Sequence, residues 1–305
     1  MYGYGTVICM NKTVPKKRKR TKKSLQNKIP AFLDRLRYPK YLTTEKHVGE
    51  TPLEATEKLR KTHNIPQHIP MAYAGRLDPM ASGKLLILIG EECKKQKKYH
   101  NLDKEYRVEL LFGVSSDSGD VLGLITGNFQ AIIELEDVKK LFKKLEGSIT
   151  LPYPHFSSKT IEGKPLHQWT LEKRLDEIKI PNKKSTIYRL TPHELRIIKK
   201  TEILNTVHKK IETIPKVTDP RKALGADFRR SNVRKSWKQF EANGFTSYQL
   251  LSFTCIASSG TYMRSLCEHM ANELGNAGLA YSIHRTKIGK FKGSIGKKPI
   301  WSKTY

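Results

Sequence analysis

The stretch Tyr73-Ala74-Gly75-Arg76-Leu77-Asp78-Pro79-Met80-Ala81-Ser82-Gly83, with the apolar run that follows to Gly90, constrains this chain more than any other segment. Gly83 to Gly90 is predicted to be a buried strand, because Leu85 to Ile89 are all apolar and glycines bound the run. Just before it, a carboxylate stands in a turn flanked by Gly75 and Gly83. Glycines there let the backbone approach a ligand closely. Pro79 removes an amide donor and stiffens the turn after Asp78. A carboxylate fixed this way can face a cleft at the edge of a strand. An Asp-Pro turn alone is common and needs no chemistry to explain it.

The rest of the chain mixes strands and helices without a regular β-α-β alternation. Thr51-Pro52-Leu53-Glu54 is a helix start: Thr51 can cap, Pro52 suits the first turn and Glu54 can close a capping box. That helix should run to about Thr62 and end before Pro66. Gly5 to Met10, Glu105 to Val114 and Leu250 to Ala257 read as strands. Glu136 to Glu146 carries Val138, Leu141, Phe142 and Leu145 at helical spacing, and Gly147 stops it. Tyr262 to Leu274 reads as a helix after the Ser258-Ser259-Gly260 turn. These elements predict an α+β fold, with helices flanking a mostly antiparallel central sheet. About 201–240 reads as an insertion, in which Arg229, Arg230, Arg234, Lys235 and Lys238 surround Trp237. An RNA-binding segment and a solvated loop anchored by one Trp fit it equally.

Lys and Arg number 57 against 29 Asp and Glu, a formal net charge of +28. Solubility alone does not call for such an excess, and a polyanionic partner, nucleic acid first, is its natural reading. A solvated loop, a contact to RNA phosphates and a nuclear-import signal all fit the basic run Lys16 to Lys23. The four cysteines form no C-x-x-C pair, which argues against a zinc ribbon or a redox motif and suits a reducing compartment. No apolar run reaches membrane-span length, and the N-terminus lacks the apolar region of a secretory signal. A cytoplasmic protein is expected.

The segment around Asp78 resembles the catalytic G-x-L-D-P-x-A-x-G motif of the TruB family of tRNA pseudouridine synthases. Further segments match in order. Lys104-Glu105-Tyr106 resembles the family's K-x-Y, and Asp117-Ser118-Gly119-Asp120 its D-[ST]-x-D. Phe156-Ser157-Ser158 with Gly163-Lys164-Pro165-Leu166 resembles S-A-x-K-x-x-G-K-x-L. Gly260-Thr261-Tyr262-Met263-Arg264 resembles G-T-Y-[IV]-R, and Arg285-Thr286 with Gly289 and Phe291 the closing R-R-T-x-x-G-x-F. The departures are as specific. Tyr73 stands where the family has His, and His167 replaces a Tyr. The N-terminal K-P-x-G-x-[TS]-S reads as split by a basic insertion at about 13–45, with Asn11-Lys12 on one side and Gly49-Glu50-Thr51 on the other. The resemblance implies one catalytic domain over 1–295, a short tail over 296–305 and no C-terminal PUA RNA-binding domain.

The resemblance also implies the chemistry: isomerisation of a uridine at position 55, in the T arm of tRNA, by a monomer that needs no metal, nucleotide or redox cofactor. The uracil must leave the stack before its glycosidic bond is touched. Asp78 would be the catalytic carboxylate, as nucleophile or as the base that starts glycal formation. Tyr106 would stack on the flipped base and take part in proton transfer. Burial favours a neutral acid, so a cation must keep Asp78 ionised, and Arg264 resembles the family's Arg that pairs with it. Lys12, Arg76, Lys104, Lys159, Lys164, Tyr262 and Arg285 are the candidate RNA contacts. Two alternatives compete. A non-catalytic tRNA binder or folding chaperone would share the charge and the scaffold. A metal nuclease would need clustered carboxylates, for which Asp117 and Asp120 are the tempting pair. Nothing resembles the glycine-rich cofactor loop of a methyltransferase.

Overall fold

The computed structural model describes residues 38–214, 229–296 and 298–305. The expected strand Gly5 to Met10, Lys12 and the basic run Lys16 to Lys23 lie outside the described residues. The elements are, in order, β1 (Tyr41–Lys46), α1 (Pro52–Thr62), β2 (Met71–Tyr73), β3 (Ser82–Ile89), α2 (Gln96–His100), β4 (Asp103–Phe112), β5 (Ser115–Ser116) and β6 (Ile125–Gly127). Then follow α3 (Leu135–Leu145), β7 (Gly147–Pro152), β8 (Thr160–Ile161), β9 (Lys164–Pro165), α4 (Leu166–Leu171), β10 (Asn182–Lys199) and α5 (Lys200–Thr213). The last are α6 (Arg230–Asn243), β11 (Ser247–Ala257), α7 (Met263–Glu273), β12 (Gly278–Ile295) and β13 (Lys298–Thr304).

Among the described residues, nine strands form one sheet in the order β1-β3-β12-β4-β11-β10-β7, with β2 also on β3 and β13 on β12. Every strand pair in it is antiparallel except β12 with β3, which run parallel where His284 and Arg285 face Ser82 and Gly83. The fold is α+β. Its centre is built as the hydrophobic pattern dictates: Leu85 to Leu88 of β3, Leu110 to Phe112 of β4 and Phe253 of β11 are fully enclosed or nearly so. The Thr51 cap and the Glu54 return bond of α1 are both present. In α3, Val138, Leu141, Phe142 and Leu145 are the buried stripe, and Phe142 meets Phe253 edge-on.

Two expectations change. The segment 201–240 is not a solvated loop: its described parts are α5 and α6, which pack against each other. Trp237 is 0% exposed, and its indole N–H donates to Val121 O at 3.1 Å. Ile203, Val207, Ile211, Val233 and Phe240 join the same core. A Trp that fills a core cannot also serve as a stacking platform. The residues read as a tail form β13, and Tyr305 packs edge-on against Tyr41 and Tyr99.

Candidate active site

Asp78 lies in the turn between β2 and β3. Its carbonyl accepts from Ala81 N at 3.0 Å, and Gly83 then enters β3 with φ +113°. A Cβ on Gly83 would sit 2.3 Å from Arg285 O, so only glycine permits this approach of β3 to β12. The turn is clasped from behind by the end of β1. Lys46 is fully buried and its Nζ donates to Ala81 O (2.6 Å) and His47 O (2.9 Å). Gly49 N donates to Pro79 O at 2.8 Å. Burial pulls the Lys46 ammonium down to about 8, against the pull of Glu50 and Asp78. Lys46-His47-Val48-Gly49-Glu50-Thr51 is therefore an unbroken K-x-x-G-x-T. The split reading through Asn11-Lys12 is corrected: Lys46 is the lysine that holds the Asp78 turn, and His47 replaces the motif's proline.

Arg264, in the first turn of α7, faces Asp78 across this turn. Its Nε donates to Asp78 Oδ2 at 2.8 Å, Nη1 to Ser118 O at 2.9 Å and Nη2 to Phe156 O at 3.1 Å. Arg264 is 3% exposed, whereas the Asp78 side chain is 38% exposed. The cation is thus interior and the carboxylate opens outward. Asp120 stands behind the pair, its Oδ2 3.7 Å from Arg264 Nε. Burial pushes the Asp120 carboxyl above the usual carboxylate range, and Arg264 opposes that shift. Ser118 Oγ and Leu122 N satisfy its Oδ1 at 2.8 and 2.9 Å. Asp117 accepts from Leu124 N and from Arg229. Both carboxylates are thus committed to protein partners. Among the described residues, no three His, Cys, Asp or Glu side chains gather to hold a metal ion.

Tyr106 is half-buried on β4, between its cross-strand partners Cys255 and Arg285. Burial raises its phenol and the Arg285 charge works against it, while the Asp78 charge adds to the rise. Tyr262 immediately precedes α7, meets Tyr153 edge-on at 5.3 Å and is pushed up to about 12 by burial. Arg76 is exposed two residues before Asp78. Lys159 is exposed over the Tyr153 ring. Lys164 is engaged by Glu172 at 2.6 Å and by the Trp169 ring at 4.3 Å.

Two of the expected RNA contacts face inward instead. Lys104 is buried; it donates to His100 O (2.9 Å) and Leu102 O (2.5 Å), and burial lowers it to about 8. Arg285 is 1% exposed and donates to Lys84 O (2.7 Å) and Arg76 O (3.1 Å). Arg285 thus braces the Asp78 loop through Arg76 O, its Nη2 enclosed without a hydrogen-bond partner among the described residues, and Lys104 ties down the entry to β4; neither reaches a surface phosphate. Lys46 and Asp120 are the participants that motif reading did not assign. The K-x-x-G-x-T spacing was the available signal for the first.

The site consists of a carboxylate held by a buried arginine, with two tyrosines nearby, on an α+β scaffold. Residues 64–213 match the TruB family pseudouridylate synthase N-terminal domain. The chain is 26% identical over 250 residues to tRNA pseudouridine synthase B of Caldicellulosiruptor saccharolyticus, covering 82% of this chain and 67% of that protein. It is 27% identical over 293 residues to tRNA pseudouridine synthase 4 of Saccharomyces cerevisiae, covering 85% and 69%. A solved structure titled as a Cbf5-Nop10-Gar1 complex aligns with 82% of this chain and 48% of its own at 16% identity, with a TM-score of 0.48. The chain belongs to the TruB family of pseudouridine synthases, and its activity is that of an isomerase. No helix among the described residues is long and apolar enough to cross a membrane.

Proposed function

We propose that this protein converts uridine 55 in the T loop of tRNA to pseudouridine, with Asp78 as the catalytic carboxylate. The 2.8 Å Arg264–Asp78 pair carries the reading. A buried guanidinium, fixed by two carbonyls, holds the carboxylate in place where its other face is open to a ligand. A flipped uracil would meet Asp78 from the open side, with Tyr106 against its ring. Asp78 then acts as nucleophile or base, the link from the sugar to nitrogen breaks, and a link to carbon forms. This redistribution of bonds within one nucleoside is redox-neutral.

Arg76, Tyr262 and Lys159, all accessible around the turn, are the proposed RNA contacts. Lys12 and the basic run Lys16 to Lys23 add charge without reading sequence. Lys164 reaches RNA only by leaving Glu172. The catalytic unit is one domain that includes the β12–β13 hairpin, and it works in the cytoplasm as a monomer. The test is release of tritium from C5 of uridine-labelled tRNA transcript. Wild type should release it, and Asp78→Asn should bind the same tRNA without release. Equal release by both proteins would remove Asp78 from the chemistry. Binding without release by both would move the protein to the chaperone class.

A further inference from the structure

The direction of Arg264 depends on two backbone carbonyls, Ser118 O and Phe156 O, as well as on Asp78. Neither lies in a strand or helix: Ser118 follows β5 and Phe156 stands between β7 and β8. One side chain bridges these two segments. Arg229 donates to Asp117 Oδ2 at 2.5 Å and to Asp117 Oδ1 at 3.3 Å. The same guanidinium lies 4.2 Å from the centroid of the Phe156 ring. The Arg229 and Asp117 side chains are only 15% and 21% exposed.

We propose that Arg229 is a positioning residue of the catalytic centre, a staple between the 117–120 turn and Phe156 that aims Arg264 at Asp78; this rests on the roles of Asp78 and Arg264 given above. The residue type fits no simpler purpose. Arg229 has φ 59° and ψ 20°, a left-handed conformation that is strained for a non-glycine residue. It occupies the N-cap of α6 yet makes no side-chain cap bond, where Ser, Asp or Asn would. Glycine suits the backbone better and a short polar residue suits the cap better. What arginine alone supplies is a fork for a carboxylate and a flat cationic face for a ring. The staple has a firm base, because α6 is anchored in the core by Trp237 and Val233 N donates to Arg229 O at 2.8 Å. The α5–α6 segment, which matches none of the family motifs, thereby reaches the centre of the reaction.

The test compares wild type, Arg229→Gly and Arg229→Lys as full chains. Glycine accepts the left-handed backbone, so Arg229→Gly should keep its folding stability. Its kcat on tRNA transcript should fall about 10- to 100-fold, with KM and tRNA affinity within about threefold of wild type. Arg229→Lys keeps the charge but loses the fork and the face, and should recover little of the loss. Hydrogen exchange reads the staple without activity: segments 116–120 and 154–158 should both exchange faster in Arg229→Gly. Wild-type kcat in an active Arg229→Gly, or unchanged exchange in both segments, overturns the proposal. A loss confined to KM and affinity also overturns it and makes Arg229 an RNA contact. If wild type itself forms no pseudouridine, the functional reading fails while the exchange measurement still decides the staple.

Discussion

Replacing Arg264 with methionine should destabilise the fold in a way that depends on pH. The side chain is enclosed and satisfies Asp78, two carbonyls and, at longer range, Asp120. Removing one partner of a buried ion pair costs about 3–5 kcal/mol, because the other charge is left uncompensated. Asp78 bears little of that cost, since water reaches it. Asp120 bears most: it is buried and already pushed above the usual carboxylate range. The sign follows from proton linkage. An acid with a raised folded pKa binds more protons folded than unfolded, so its destabilisation is full above the folded pKa and is relieved as pH falls through it. Urea unfolding of Arg264→Met should therefore show a loss of about 3–5 kcal/mol near neutral pH. The loss should be smaller in acid, once pH falls through the raised folded pKa of Asp120. Adding Asp120→Asn should recover that difference at neutral pH and nothing further in acid. Equal losses at neutral and acid pH, or no recovery from the second substitution, would refute the assignment of Asp120 as the stranded charge.

Lys46→Met should leave tRNA affinity intact and lower kcat about tenfold or more, read by single-turnover kinetics, because Ala81 O and His47 O lose the donor that fixes the Asp78 turn. Lys46, Lys104 and Lys210 are each lowered by burial to about 8. The unfolded chain then binds more protons above pH 8, so urea midpoints should rise between about pH 8 and 9.5, and Lys104→Met should flatten that slope. Trp237→Ala should cost about 3–5 kcal/mol of stability from its enclosed site. The salt dependence of tRNA binding should separate the basic segments. Neutralising Lys16 to Lys23 should flatten it, whereas Arg234→Gln should not, since Glu212 already holds Arg234 at 2.7 Å.

Much of the site was legible because its chemistry is local in sequence. Asp78 sits between the two glycines its turn requires, and Arg264 follows a turn that starts a helix. The capping box of α1 and the stripe of α3 are likewise short-range patterns. What sequence could not show is which way a cation points. Lys104 and Arg285 look like phosphate ligands until their burial and their bonds to backbone carbonyls come into view. An earlier lysine, Lys12, competes with Lys46 for the same place in the motif. β10 carries no clean strand signal: bulges next to Tyr188 and His193 shift its register and break the alternation of buried and open positions. The α5–α6 segment looked like a loop because its charges hide the helical spacing of Ile203, Val207 and Ile211.

The central claim is that Asp78, held by Arg264, isomerises one uridine in the T loop. Its most direct test maps pseudouridine in tRNA transcript by carbodiimide-dependent reverse-transcription stops, after incubation with wild type and with Asp78→Asn and without added metal or nucleotide. A single stop in the T loop, with wild type only, is the predicted result. A stop elsewhere in the tRNA, a stop that survives Asp78→Asn, or no stop despite tight binding would contradict it.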